Sequence, residues 1–144
     1  MRLQENSVAI HLRKGDDYMQ SELMGKGLCT VDYYMKAIDY MRKHINNPHF
    51  YVFTDNPCWV KDNLPEFEYI LVDWNEVSGK RNFRDMQLMS CAKHNIIGNS
   101  TYSWWAAWLN ANQDKIVVGP KRFFNPINSF FSTCDIMCED WISL

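Results

Sequence analysis

Along the chain, short apolar segments alternate with longer segments whose apolar residues recur at helical spacing. Short apolar runs rich in β-branched and aromatic residues are typical of strands, and longer segments with apolar residues at helical spacing follow them. The predicted strands span residues 7–13, 49–54, 69–72, 95–97 and 115–118. The predicted helices span residues 30–45, a short segment opening at 56–57, 83–93 and 103–111. This alternation predicts an α/β fold, a Rossmann-like parallel sheet of about five strands flanked by helices.

The helix over residues 30–45 has the clearest ends. Thr30 is a residue type that caps helix N-termini, and Asp32 places a carboxylate in the first turn, near the positive end of the helix dipole. The Asn-Asn-Pro sequence at 46–48 stops the helix because proline cannot continue it. We therefore expect a helix that begins directly after Thr30.

Composition places the chain among globular proteins and limits its partners. Hydrophobic residues make up 47% and charged residues 22% of the 144 residues, which suits one domain with a packed core. The formal net charge of -2 supplies no general attraction to nucleic acid, so we expect no nucleic-acid partner. Binding of anions must then depend on local clusters of basic residues, at 13–14 and within 80–84.

The sequence gives little indication of a membrane segment or of disulfide bonds. No apolar run approaches the roughly 20 residues that span a bilayer, and the first residues lack the apolar core of a signal peptide. We therefore expect a cytoplasmic chain, free or peripheral to the inner membrane. The five cysteines form no C-x-x-C pair, which predicts reduced thiols rather than a disulfide framework.

Three polar clusters follow predicted strands one, two and four. They occupy residues 11–16, 54–57 and 98–103. Ligands of open α/β sheets bind beyond the carboxyl ends of the strands, where loops and helix N-termini present N–H groups. We expect all three clusters at one edge of the sheet, around a ligand.

The chemistry of these clusters suits a nucleoside diphosphate. The guanidinium of Arg13 offers two parallel donors to phosphate oxygens, and Gly15 allows the backbone to turn or to approach a ligand closely. The loop at 98–103 offers three hydroxyls and free N–H groups at a helix start, where a diphosphate is favoured. Asp55 can accept hydrogen bonds from N1–H and N2–H of guanine, a pairing that adenine cannot make.

Each candidate also has a simpler interpretation. Arg13 alone is often a salt-bridged surface residue, and His11 can be a strand histidine satisfied within the fold. Asp16 can cap backbone donors without touching a ligand, and Asp85 can be a surface acid near a helix start. The tryptophan stripe at 104–108 is interpreted as a helix packing surface rather than a sugar platform.

Longer stretches of sequence resemble one known family. Residues 11–16 match an H-x-R-x-G-D motif, residues 83–91 and 94–105 carry the more specific match, and 53–60 and 120–125 extend it. With these stretches the chain resembles bacterial α-1,2-fucosyltransferases of glycosyltransferase family 11 over its whole length.

The resemblance implies the donor-binding half of an inverting GT-B enzyme. Such enzymes transfer fucose from GDP-fucose to the 2-hydroxyl of a galactose-terminated oligosaccharide, without a metal or other cofactor. The sequence contains no D-x-D triplet, which agrees with that expectation. Arg13 would be catalytic by neutralising the β-phosphate as the glycosidic bond breaks. The substrate-binding residues implied are His11, Arg13, Gly15, Asp16, Asp55, Asp85, Asn99, Ser100, Thr101 and Ser103.

Two departures from the family pattern qualify this expectation. Asp17 stands where the family commonly has an aromatic residue, which adds a negative charge near the phosphates. We also expect a single GDP-fucose-binding domain over residues 1–144, without the upstream acceptor-binding domain of the family. The chain would then be a truncated gene product, a fragment of a longer protein or a half that pairs with another polypeptide. Weak donor binding and poor transfer follow from that expectation. The alternatives are an inactive module derived from a truncated transferase, or a transferase that uses another nucleotide sugar.

Overall fold

The computed structural model describes residues 5–21, 29–76, 79–125 and 136–144. The strands in this part of the chain are β1 (Ser7–Leu12), β2 (His49–Thr54), β3 (Tyr69–Val72), β4 (His94–Ile96), β5 (Val117–Gly119) and β6 (Ile142–Ser143). The helices are α1 (Asp16–Met19), α2 (Val31–His44), α3 (Pro57–Asn63), α4 (Phe83–Ser90) and α5 (Thr101–Leu109).

The strands form one parallel sheet in the order β3-β2-β1-β4-β5-β6. The chain moves outward from β1 to β3 and then returns to β4 on the other side of β1. The strand order therefore reverses between β1 and β4, where α/β sheets bind their ligands. The predicted Rossmann-like α/β fold is confirmed, with six described strands where about five were expected.

Apolar side chains cover both faces of the sheet. All six residues of β1 are buried, so alternate residues face opposite layers. On one face Ile10 and Leu12 pack with Ile38 and Met41 of α2. On the other face Ala9 belongs to a cluster with residues of α4 and α5, among them Met89 and Ala106. Helices thus cover both sides of the sheet, as the two-faced apolar strands predicted.

The capping of α2 follows the sequence prediction. The Thr30 hydroxyl accepts a hydrogen bond from the Tyr33 backbone N–H at 3.3 Å, which satisfies one unpaired donor of the first turn. Asp32 lies in that first turn, and basic residues occupy the last. The helix ends before Asn47, which has a positive φ of 47°.

The tryptophan stripe of α5 is divided between two environments. The indole of Trp104 donates to the Ile136 carbonyl at 2.7 Å, and its ring lies 5.7 Å from that of Trp141. Trp105 and Trp108 are 49% and 54% exposed. The packing interpretation is therefore correct for Trp104, whereas Trp105 and Trp108 pack on the Trp104 ring with one side and are half exposed on the other.

The described residues show free thiols and no membrane-spanning helix. The cysteines at 29, 58, 91 and 138 have free thiols, whereas Cys134 lies outside the described residues. No described helix combines the length and the apolar character needed to cross a membrane.

Candidate nucleotide-binding site

A cavity of about 310 Å³ opens at the carboxyl edge of the sheet. Residues from the loops after β1, β2 and β4 line it, together with residues at the start of α4. These residues are His11, Arg13, Thr54, Asp55, Asn82, Asp85, Ser100, Thr101 and Tyr102. The prediction that the three polar clusters meet at one edge is confirmed.

Asp55 fastens the loop after β1 to the sheet. Its carboxylate accepts hydrogen bonds from the backbone N–H groups of Lys14, at 2.7 Å, and Gly15, at 2.8 Å. It also forms an ion pair with Nη1 of Arg13. The side chain is only 13% exposed, so these bonds are shielded from water. Asp55 thereby orients the guanidinium of Arg13 toward the cavity.

Gly15 is needed for a close approach within the protein. Its backbone has φ −66° and ψ 155°, which any residue can adopt, so no special turn is involved. A Cβ atom built here would collide with the Asp55 carboxylate and lie 2.9 Å from Oδ1 of Asp17. The chain passes from β1 into α1 at Gly15 without a positive φ, and the missing Cβ makes room for Asp55.

Lys14 does not belong to the cavity, although the sequence placed it in a basic cluster with Arg13. Its side chain is buried, and Nζ donates to the Cys29 carbonyl at 2.7 Å. Nζ also lies 4.6 Å from the ring centroid of Trp59, a cation–π contact. Burial lowers the pKa of Lys14. Arg13 is thus the member of that pair that lines the cavity.

His11 presents a nitrogen without a partner. The side chain is buried at the end of β1, and Nδ1 has no hydrogen-bond partner among the described residues. Burial lowers the pKa of His11 from 6.5 to about 4; the nearby Asp55 opposes this change and Arg13 adds to it. A buried unpaired polar group costs about 1–3 kcal/mol. The interpretation of His11 as satisfied within the fold is therefore not supported at Nδ1.

Asp85 is a buried acid of the cavity wall and not a surface acid. It lies in the first turn of α4, and Oδ1 accepts from Nδ2 of Asn75 at 2.6 Å. No hydrogen bond to the second carboxylate oxygen is found among the described residues. Burial raises the pKa of Asp85, and the Asn75 hydrogen bond opposes that change.

Two hydroxyl residues of the loop after β4 reach the cavity. Ser100 is the N-cap of α5 but makes no side-chain capping hydrogen bond, and Thr101 is the first residue of the helix. The first N–H groups of a helix have no partner within it. The start of α5 therefore combines hydroxyl groups with backbone donors, and both favour an anion.

Four of the residues implied as substrate-binding do not line the cavity. Asn99 and Ser103 are buried, and the Ser103 hydroxyl donates to the Ser100 carbonyl at 3.1 Å. Gly15 contacts Asp55, and Asp16 begins α1 on the surface. The other six, His11, Arg13, Asp55, Asp85, Ser100 and Thr101, line it.

Three cavity residues were absent from the predicted set. Tyr102 accepts a hydrogen bond from the Met86 backbone N–H at 2.9 Å and donates to the Asn82 carbonyl, which ties α5 to α4. Asn82 precedes α4, and Thr54 ends β2. The signal for Thr54 and Tyr102 was their position inside the polar clusters, whereas Asn82 lies before a helix start and carried none.

Taken together, the site defines a class of protein. A parallel sheet whose strand order reverses beside a cavity, with a helix N-terminus at the same edge, is the arrangement in which open α/β domains bind their ligands. The family model for glycosyl transferase family 11 matches residues 2–144, and the chain belongs to that family.

The chain is also similar to particular relatives. It is 37% identical over 142 residues to an alpha-1,2-colitosyltransferase of Escherichia coli, covering 96% of this chain and 48% of the relative. It is 39% identical over 144 residues to the O-antigen biosynthesis glycosyltransferase WbnK of Escherichia coli, covering 96% and 45%. Human galactoside alpha-(1,2)-fucosyltransferase 1 is 25% identical over 103 residues, covering 71% and 28%. The chain thus spans about half the length of the two bacterial relatives. No solved structure matches it.

Proposed function

We propose that the chain binds GDP-fucose and forms the donor-binding part of an α-1,2-fucosyltransferase that acts on galactose-terminated glycans. The observation that carries this proposal is the pairing of Arg13 with the start of α5 in one cavity. The family and the bacterial relatives support a transferase of this type.

The diphosphate would lie between Arg13 and the first turn of α5. Arg13 supplies a permanent positive charge, and α5 supplies N–H donors and the hydroxyls of Ser100 and Thr101. When the bond between sugar and phosphate breaks, negative charge develops on the β-phosphate. These groups stabilise that charge, so we propose transfer without a metal ion.

The guanine base would be read by His11 and Asp85. Guanine presents two N–H donors at N1 and N2, which a carboxylate can accept. The oxygens of Asp55 already accept from Arg13, Lys14 and Gly15, whereas Asp85 keeps an available oxygen. These contacts favour Asp85 over Asp55 as the acceptor of the guanine N–H groups. Recognition of guanine by Asp55, expected from the sequence, stays a prediction. His11 lines the same cavity and would contact the base from β1.

Calorimetric titration with GDP, ADP and inosine diphosphate tests the proposal. We expect saturable binding of GDP and weaker binding of inosine diphosphate, which lacks the 2-amino group. Asp85→Asn should reduce that preference. Arg13→Ala should weaken GDP binding by about tenfold to a hundredfold, the loss of a charge-assisted contact worth about 1.5–3 kcal/mol.

The matched control is Arg42→Ala, which removes an arginine from an exposed ion pair on α2. It should bind GDP as the original chain does, and thermal melting should show that each variant is folded. A folded chain that binds neither GDP nor GDP-fucose would support the inactive-module alternative. Equal affinity for GDP and ADP would contradict guanine recognition.

The donor sugar is tested separately, because one bacterial relative is named for colitose transfer. A competition binding assay compares the affinity of the chain for GDP-fucose with its affinity for GDP-mannose and for a UDP-sugar. A preference for GDP-fucose supports the proposal, whereas a preference for another sugar supports the alternative transferase. Transfer of fucose to a galactose-terminated glycan is assayed with this chain. It is assayed separately with a polypeptide as long as the two bacterial relatives.

A further inference from the structure

Two carboxylates occupy both terminal nitrogens of Arg13. Nη1 pairs with Asp55, and Nη2 lies 2.7 Å from Oδ2 of Asp17, four residues further along the chain. We propose that Asp17 competes with phosphate for Arg13 and lowers the affinity of the site for phosphorylated ligands. This inference rests on the proposed function, because it concerns the same arginine.

The two acids hold Arg13 with different strength. The Asp55 side chain is 13% exposed and is anchored by two backbone N–H groups. The Asp17 side chain is 74% exposed and extends from α1, a helix of four residues. Exposed ion pairs are weak because water screens them. Asp17 is therefore the partner that a ligand can displace, whereas Asp55 stays in place.

The geometry of the guanidinium makes the competition direct. Arginine binds phosphate through two neighbouring N–H donors. Each terminal nitrogen carries two N–H groups, of which Asp55 accepts from Nη1 and Asp17 accepts from Nη2. A phosphate that binds through both terminal nitrogens therefore approaches Nη2, the donor nitrogen that Asp17 contacts. A carboxylate and a phosphate cannot share that donor without strong repulsion between their negative charges. Asp17 therefore opposes the binding of the diphosphate to Arg13, and that opposition ends when Asp17 moves away.

Asp17 would act on every ligand that carries the diphosphate. It would weaken the binding of GDP-fucose, and it would also help to expel GDP after transfer by returning to Arg13. A ligand without phosphate does not need Nη2 of Arg13. The inference therefore predicts an effect on GDP and none on guanosine.

Calorimetric titration of Asp17→Asn with GDP and with guanosine tests this. We expect the affinity for GDP to rise by about threefold to tenfold, since the exposed ion pair that competes for Arg13 is removed. Affinity for guanosine should stay the same. The matched control is Asp39→Asn, which removes one negative charge from an exposed ion pair on α2 and should leave both affinities unchanged.

A second pair of variants separates competition from general repulsion. In the Arg13→Ala background, Asp17→Asn should raise the affinity for GDP only slightly, because no guanidinium remains for which Asp17 and phosphate could compete. The same gain in that background would overturn the inference in favour of repulsion through space. If the original chain binds GDP and Asp17→Asn binds it no better, the inference about Asp17 is wrong, whereas the proposed binding of GDP stands. If no variant binds GDP, the proposed function fails with it.

Discussion

Acidification should destabilise this protein through His11. The folded chain keeps the imidazole neutral, because burial lowers its pKa to about 4, whereas the unfolded chain takes up a proton near 6.5. Unfolding therefore binds a proton between these two values. The stability that the neutral imidazole contributes is fully present above pH 6.5 and is lost as the pH falls toward 4.

The size of this loss follows from the two pKa values. Each unit of pH within the interval costs at most about 1.4 kcal/mol. Relative to neutral pH, the free energy of unfolding should fall by about 2 kcal/mol at pH 5 and by about 3 kcal/mol at pH 4. Domains of this size are stable by about 5–15 kcal/mol, so the loss is measurable.

This loss of unfolding free energy is measured by urea unfolding of the original chain and of His11→Gln between pH 8 and pH 4. The variant cannot take up the proton, so its stability should fall less, by about 3 kcal/mol over the interval. Burial also raises the pKa of Asp85 and lowers that of His94, and both effects are common to the two chains. Equal acid sensitivity in the two chains would refute the burial of a neutral imidazole.

Two further substitutions test local geometry. Gly98→Ala should destabilise the fold by about 1–3 kcal/mol, because the added Cβ would meet the Tyr34 hydroxyl at 2.9 Å and the His11 carbonyl at 3.1 Å; an unchanged melting temperature would contradict this. Thr30→Ala should cost about 0.5–2 kcal/mol in urea unfolding by removing the cap on the Tyr33 N–H, and Thr30→Ser should retain most of the stability.

The sequence allowed the layers of the fold to be predicted because its long strands carry their own signal. β1 and β2 are apolar runs buried on both faces, and α2 has both a cap and an apolar stripe. The same reasoning missed β6, which has two residues and exists because Ile142 pairs with Val118 of β5. It also missed α1, whose four residues are too few to show a period.

The candidate site was predictable in position but not in its internal contacts. The rule that ligands lie at the carboxyl edge located the cavity correctly. No sequence pattern indicates that Lys14 turns inward to the Cys29 carbonyl, because that direction depends on where residue 29 is brought by tertiary packing. The engagement of Asp55 with the backbone of Gly15 is likewise a contact between segments 40 residues apart. Burial of Asp85 depends in the same way on packing around α4.

The pairing of Arg13 with Asp55 depends on the register of the sheet. Leu12 of β1 is aligned with Thr54 of β2, so Arg13 and Asp55 are the first residues beyond two neighbouring strand ends. A slip by one residue would turn every side chain of β1 to the opposite face and separate this pair. The apolar residues that hold β1 in register therefore also orient the arginine. Core substitutions in β1 should then weaken ligand binding as well as stability, even though they never touch the cavity.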